Sequence, residues 1–418
     1  MKSFLKKIVV RVLASQVRRL RRGNNFKIIG VVGSIGKTST KLAIAKVLES
    51  DKRVRYQEGN YNDIVSVPLV FFSRTMPQLW NIFTWLQIFI KNEIQILSRY
   101  PFDFVVLELG TDKSRDIGQF RSYLDLDIAV VTAVTLEHMQ FFGSLREVAE
   151  EEFSVSYFSD LVFANKDLCH LMPENIDHKK VIFYGKEFGS VYKVDNIRKS
   201  KEGFDFEIYH EGKKLIEISY PAVSEVQLYS ITVSVAIAQI FQISREKVKN
   251  SLAKIESFPG RMQKLAGIKN SIIIDDTYNA SPESMKIALD TLYDSSTSHR
   301  IAILGQMNEL GKFSEEEHKK IGKYCSPKLL DLVVTIGRDA NKFIAEEAEK
   351  NGCPVYRAKN SVDAGKYVKS KIKDQAVVLA KGSQNGVFAE EALKPLLLKQ
   401  SDSSFLVRQD SSWMKKKI

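Results

Sequence analysis

The stretch Phe26-Lys-Ile-Ile-Gly30-Val-Val32-Gly33-Ser34-Ile35-Gly36-Lys37-Thr38-Ser39 sets an apolar, strand-like run directly ahead of a glycine-rich turn. A helical pattern follows from Thr40 to about Leu48. Strand, turn and helix in that order make an anion site. Backbone N–H groups at the turn face a phosphate, and a lysine adds positive charge. Gly33, Ser34, Gly36, Lys37, Thr38 and Ser39 are therefore the candidate nucleotide-phosphate cradle, with the Thr38 hydroxyl as a Mg²⁺ ligand. The strict G-x-x-x-x-G-K spacing fails by one, since Val31 occupies the first glycine position.

Outward from the cradle, apolar runs at Phe104–Leu109, Ile128–Ala133 and Leu161–Ala164 alternate with helical stretches, including a long one over Leu145–Phe158. The alternation predicts an α/β domain with a mostly parallel sheet. Residues 180–220 instead show short alternating runs, such as Phe204–Tyr209 between Gly203 and Gly212, and predict an antiparallel hairpin appendage. Helical patterns resume at 226–254, and Ser257-Phe-Pro-Gly260 reads as an interdomain linker. A second α/β unit is predicted beyond it. Its strands are expected at Ser271–Asp275, Arg300–Leu304, Leu332–Ile336 and Ala376–Leu379, its helices at 282–292, 314–324, 339–350, 361–370 and 386–398. It has no glycine-rich dinucleotide fingerprint, so a Rossmann-like domain without a cofactor is expected. The predicted organisation is a basic N-terminal helix (1–25), a P-loop-containing central ATP-binding domain (26–260) and a C-terminal domain (261–418).

Composition narrows the partners. The 418 residues are 44% hydrophobic and 27% charged, ordinary for a soluble globular chain. Cys169, Cys325 and Cys353 are scattered, which argues against a disulfide framework or a structural zinc site and points to a reducing, cytoplasmic setting. The net charge of +12 lies at the ends: residues 1–22 carry eight Lys/Arg and no acid, and Lys415–Lys417 follow at the other terminus. The body is nearly neutral, so a nucleic-acid groove is not expected. Residues 1–22 read as an amphipathic helix, with Leu5, Ile8, Val9, Val12, Leu13 and Leu20 near one face. Either that face lies on an anionic membrane or it packs on the body. The uncharged stretch Thr75–Ile90 is too short to span a bilayer and predicts an amphipathic or buried helical hairpin.

Further motifs stand at strand ends. Val106-Leu107-Glu108-Leu109-Gly110 places a carboxylate at the C-terminal edge of the sheet, where α/β proteins bind ligands. Another strand leads into Thr135-Leu-Glu137-His138, with Phe142-Gly143-Ser144-Leu145 after it. Much later come Gly260-Arg261-Met262, Asp275-Asp276-Thr277-Tyr278-Asn279-Ala280-Ser281-Pro282, Gln306–Gly311, His318 and Lys381-Gly382-Ser383. In this order the segments resemble the Mur ligases, of the MurF type, over roughly residues 26–418.

The resemblance implies ATP and Mg²⁺ as cofactors, with Thr38, Glu108 and His138 as metal ligands. It also implies nucleotide contacts from Arg261, Asp276 and Asn279, Arg261 reaching the ATP phosphates on domain closure. Substrate contacts would come from Asn60 and Asn62 in Gly59–Pro68, and from Tyr278, Lys381 and Ser383. The implied reaction activates a carboxylate as an acyl phosphate, which an amine then attacks to give an amide. Lys37, His138, Glu152 and Arg261 are the residues expected to carry it. By resemblance the acceptor is UDP-N-acetylmuramoyl-tripeptide, the amine D-alanyl-D-alanine, and the pathway peptidoglycan precursor synthesis.

Three departures qualify this. Where the family has a carbamylated lysine, this chain has Glu152, which either replaces the carbamate or leaves that metal site weaker. Val226 and Ser230 stand where family members have a His and an adenine-contacting Asn. Only about 25 residues precede the first phosphate-binding strand, leaving no room for the family's UDP-binding first domain. The UDP would then be held by the N-terminal helix or a partner protein. Otherwise the acceptor is a different carboxylate, or the chain is a non-catalytic nucleotide-binding subunit.

Overall fold

The computed structural model describes residues 2–57, 61–200, 203–255 and 258–417; Gly59, Asn60 and Ser257 lie outside the described residues. The chain forms two compact units. One is Met1–Thr135 with Phe142–Tyr220 and Gln227–Ile255, the other Leu136–Phe141 with Pro221–Val226 and Glu256–Ile418.

In chain order the first unit holds α1 (Lys2–Gly23), β1 (Lys27–Val32), α2 (Lys37–Glu49), β2 (Val54–Tyr56), α3 (Val67–Phe71), α4 (Ile82–Ile96) and β3 (Phe104–Glu108). Then follow α5 (Asp116–Phe120), β4 (Leu126–Val131), α6 (Leu145–Phe153), β5 (Ser159–Asn165) and β6 (Val181–Gly185). The unit closes with β7 (Tyr192–Lys199), β8 (Phe204–His210), β9 (Lys213–Tyr220), α7 (Val226–Ile240) and α8 (Arg245–Leu252). Its nine strands form one sheet, ordered β2-β3-β1-β4-β5-β6-β7-β8-β9. β1 lies between β3 and β4, parallel to both, and its burial on both faces explains the unbroken apolar run.

Residues 180–220 are not the separate appendage expected. β6 pairs in parallel with β5, and β7–β9 continue the same sheet as an antiparallel meander. An unpaired edge at β5 would expose its backbone donors and acceptors, and β6 satisfies them. α6 ends at Phe153, with a 3₁₀ turn over Ser154–Phe158 where one long helix was expected.

The apolar face of α1 settles on the body. Val9, Leu13, Val17 and Leu20 are buried, and Val9 and Leu13 share a cluster with Leu69, Trp85 and Ile88. Thr75–Ile90 is not a hairpin but the lead-in to one helix, α4, started by Asn81 accepting from the Thr84 N–H at 3.1 Å. Among the described residues no helix is long and apolar enough to cross a membrane.

The second unit contains β10 (Gln263–Ala266), β11 (Ile272–Asp276), α9 (Pro282–Tyr293), β12 (Arg300–Gly305), α10 (Ser314–Tyr324), β13 (Leu332–Ile336), α11 (Ala345–Lys350), β14 (Val355–Ala358), α12 (Ser361–Lys371) and β15 (Val377–Lys381). Its sheet runs β10-β11-β15-β12-β13-β14, parallel except for the β10 edge. The core is one layer of Ile, Val and Ala from the strands against α12 and the C-terminal turns. The four-residue edge strands β10 and β14 carry too little pattern to be read from sequence. The helix expected at 386–398 is two 3₁₀ turns, Ala389–Ala392 and Lys394–Leu396. Pro395 interrupts it, lacking the N–H that an α-helix needs.

Candidate active site

In the first unit the cradle is built by close backbone packing. Gly33 has φ +124, and a Cβ there would run into the Thr132 hydroxyl and the Thr132–Ala133 backbone. Gly36, with φ +85, is the left-handed N-cap of α2, so the helix begins at Lys37, earlier than the apolar pattern suggested. Thr132 Oγ1 donates to Val32 O at 3.0 Å or Ile35 O at 2.6 Å, and the Ser34 N–H donates to Ala133 O at 2.9 Å. These bonds tie the loop to the end of β4. The Lys37 ammonium folds back onto Gly33 O, and Ser39 sits half-buried in the first turn of α2.

The register of β1 and β3 pairs Val31 with Glu108, which brings the Glu108 carboxylate to the start of α2. Thr38 Oγ1 donates to Glu108 Oε2 at 3.0 Å, and Lys41 Nζ lies 3.5 Å from the same oxygen. Lys41, 1% exposed, was not anticipated from sequence, although its i+4 spacing from Lys37 puts both on one helix face. Gln57 was also missed. Its side chain brackets Glu108, accepting from the Glu108 N–H and donating to Glu108 O at 3.0 Å. Asn62 O accepts from the Gly110 N–H at 2.8 Å, so the expected acceptor loop does meet this strand end.

Glu152, on α6, is buried, and its Oε2 accepts from the Gly33 N–H at 2.7 Å. The position that departs from the family thus touches the phosphate loop itself. Glu151 is buried and accepts from the Arg115 N–H at 2.6 Å and the Ile117 N–H at 2.7 Å, and burial pushes its carboxyl up. Ser230 on α7 is buried and bonded to the Thr40 hydroxyl at 2.9 Å, filling the departed Asn position with a helix–helix contact.

His138 groups with the second unit. There its Nδ1 lies 2.6 Å from Glu309 Oε2 and its Nε2 3.9 Å from Glu137 Oε1. The His138 ring at this distance holds the Glu309 carboxyl below the usual range. The four expected metal ligands are therefore Thr38 and Glu108 in contact, Glu152 at Gly33, and His138 oriented by Glu309.

The ends of β11 and β15 form a second cluster, because their register sets Asp276 beside Lys381. Lys381 Nζ bonds Asp276 Oδ2 at 2.5 Å and Asn279 O at 2.9 Å, while Asp276 Oδ1 accepts from the Met262 N–H at 3.1 Å. The Arg261 guanidinium lies 3.8 Å from the centroid of the Tyr278 ring, a cation–π stack. Ser383 Oγ donates to Ala280 O at 3.2 Å and accepts from the Asn308 N–H at 2.9 Å. Arg408, unanticipated, donates to Thr277 O at 2.6 Å and Tyr278 O at 2.9 Å, and is held by a buried ion pair with Glu390. His318 is structural: Nε2 accepts from the Met307 N–H at 2.9 Å, Nδ1 faces Ser314 O at 2.7 Å, and burial lowers its pKa. Neither aspartate caps α9; Ser281 does.

Asp275 is fully buried, and burial pushes its carboxyl up to about 6 despite two bonds from Thr277. A folded-state value above the unfolded value of about 4 means the native state holds its proton more tightly. Stability is then fully present below about pH 4 and lost as pH rises through about 6, by up to ~3 kcal/mol. Asp275→Asn should flatten that slope. Urea unfolding at pH 5 and pH 8 checks it, and equal slopes for both proteins would reject it.

The Mur ligase middle domain matches residues 31–238, and the Mur ligase glutamate ligase domain matches residues 260–384. The chain is 29% identical over 383 residues to the UDP-N-acetylmuramoyl-tripeptide–D-alanyl-D-alanine ligase of Bacillus subtilis (strain 168), covering 89% of this chain and 76% of that one. It is 26% identical over 393 residues to the enzyme of the same name from Haemophilus influenzae, covering 89% and 77%. A solved MurF ligase from Thermotoga maritima in complex with ADP shares the fold, with TM-score 0.74, 21% identity, and 92% and 83% of the two chains covered. With both domains matched in order, the chain belongs to the Mur ligase family of ATP-dependent ligases.

Proposed function

We propose that this chain is the ATP-dependent amide ligase that joins D-alanyl-D-alanine to UDP-N-acetylmuramoyl-tripeptide in peptidoglycan precursor synthesis. The observation that carries the chemistry is the Thr38–Glu108 contact at 3.0 Å, set by the β1–β3 register beside a lysine-bearing anion loop. The relatives named for that reaction support the substrate pair.

A hydroxyl and a carboxylate are hard oxygen donors, and they suit magnesium, which keeps several waters and is bound by few side chains plus phosphates. Bound there, the ion would neutralise phosphate charge. Glu309 at Nδ1 orients His138 as outer carboxylates orient metal-binding imidazoles, and we assign Nε2 as its ligand atom.

The protein's own groups do the rest. The loop N–H groups and Lys37 hold the triphosphate; phosphate oxygens would replace Gly33 O on the ammonium. The acceptor carboxylate attacks the terminal phosphorus, giving an acyl phosphate and ADP. The amine then attacks the acyl carbon and releases phosphate, leaving the amide. We assign Arg261 to the phosphate charge, since a guanidinium donates bidentately and keeps its charge. Asn62, Tyr278, Lys381 and Ser383 are assigned to the substrates, and Asp276 and Asn279 to the nucleotide.

Arg261→Ala should lower ligation about 10²-fold, and Arg261→Lys should recover only part of it, read as kcat/KM for ATP. The reading as a whole is tested by mass spectrometry of the purified protein with Mg²⁺, ATP, the UDP-linked tripeptide and D-alanyl-D-alanine. A product heavier by the dipeptide minus water, dependent on ATP, supports it. ADP release only with other carboxylates and amines would transfer the chain to a different acceptor.

A work site at the inner face of the membrane, through the basic N-terminal helix, belongs to the same proposal.

A further inference from the structure

The outward face of α4 is unusual for a helix on a soluble domain. Phe83, Leu86, Ile90, Ile94 and Leu97 recur at spacings of three and four, so they form one stripe. They are 83, 55, 52, 61 and 88% exposed. The opposite stripe, Trp85 and Ile88 with Asn92, is the buried one. The helix is therefore apolar on two faces, and packing uses only one. At 1.5 Å per residue the exposed ridge is about 20 Å long.

α1 lies alongside. Val9 and Leu13 cluster with Trp85 and Ile88, Gln16 bonds Asn92 and Phe89 O, and Arg19 pairs with Glu93, so the two helices run in the same direction. α1 presents Lys6, Lys7, Arg11 and Arg22 to solvent, with Phe4 and Ile8 also exposed near its start, and residues 1–22 hold no acid. The helix pair thus combines two properties: α4, with Phe4 and Ile8 of α1, supplies exposed hydrocarbon, and α1 supplies positive charge.

We infer that the α1–α4 pair is a peripheral membrane-docking surface, with the α4 ridge entering the headgroup–acyl boundary of a bilayer and the α1 cations meeting anionic headgroups. Charge decides the occupant. A second copy seated on the ridge would bring two sets of like charges together, whereas an anionic leaflet complements them. This deepens the proposed membrane contact by naming the element that inserts, and it does not depend on the ligase chemistry.

The test is flotation of the full chain with phosphatidylglycerol–phosphatidylcholine vesicles and with phosphatidylcholine alone, with ATP hydrolysis and unfolding midpoint recorded in parallel. Wild type should float with the anionic vesicles in a salt-sensitive way and bind the neutral ones about tenfold less. Phe83→Ser with Leu86→Ser and Ile90→Ser should lose vesicle binding by about tenfold or more, with hydrolysis and midpoint unchanged. Lys6→Gln with Lys7→Gln and Arg11→Gln should remove the anionic preference. The inference fails if wild type floats with neither vesicle or if the serine variant floats like wild type. It fails equally if the ridge proves covered in solution, seen as a dimer that the serine variant dissociates. Loss of hydrolysis with binding intact would count against the ligase reading alone.

Discussion

Lys37→Ala is expected to slow ATP-dependent amide formation by about 10³-fold or more while costing only about 1 kcal/mol of stability. The asymmetry follows from where the ammonium sits. In the fold it donates to carbonyls of its own loop, Gly33 O and, at 3.5 Å, Ser34 O, and it is only half-buried. In the reaction it is the cation of the loop itself, facing a phosphoryl group whose charge spreads over its oxygens in the transition state. Lys41 cannot substitute, because its Nζ is 3.5 Å from Glu108 and 1% exposure holds it there. Steady-state ADP release and product mass, with an unfolding midpoint for each protein, check the prediction. A variant that hydrolyses ATP as wild type does would remove the loop from the chemistry. One that unfolds early would make the lysine structural.

What could be read from the sequence was what is written contiguously. Gly33–Ser39 carries its turn, its charge and its helix start within one heptad of residues, so the cradle needed no knowledge of distant partners. Asp275–Pro282 and Lys381–Ser383 were legible for the same reason, although only the β11–β15 register explains why Asp276 and Lys381 meet. Gln57, Lys41 and Arg408 escaped notice because their meaning depends on partners reached through the fold: 51 positions away for Gln57 and Glu108, and 130 for Arg408 and Tyr278.

The misread elements share a cause as well. β6 pairs with β5 because an edge needed covering, and Glu151, which no sequence feature singled out, is buried where α5 begins. Neither fact has a local signature. α1 shows the limit most directly. Its amphipathic pattern was plain, but an apolar face does not say whether protein or lipid will cover it. Trp85 and Ile88 cover it here, and the face left exposed belongs to a helix whose lead-in was read as an amphipathic or buried helical hairpin.

Glu152→Gln is expected to lower activity about 10²-fold and to raise the Mg²⁺ concentration needed for half-maximal rate. The two roles open to this carboxylate differ in what they need. Holding the Gly33 N–H at 2.7 Å needs only an oxygen acceptor, which a glutamine amide also offers. Standing in for the family's carbamate needs negative charge, which the amide removes. A glutamine variant equal to wild type would therefore make Glu152 a loop anchor and nothing more. Glu152→Ala separates the other half: it leaves the Gly33 N–H unpaired in a buried setting, at a cost of about 1–3 kcal/mol that the glutamine variant should not show. Glu152→Lys completes the argument by restoring the residue type whose carbamate the family is expected to use. Its activity should be low in buffer stripped of CO₂ and should rise on adding bicarbonate. A lysine variant indifferent to bicarbonate would mean that α6 no longer sets the side chain where a carbamate could serve.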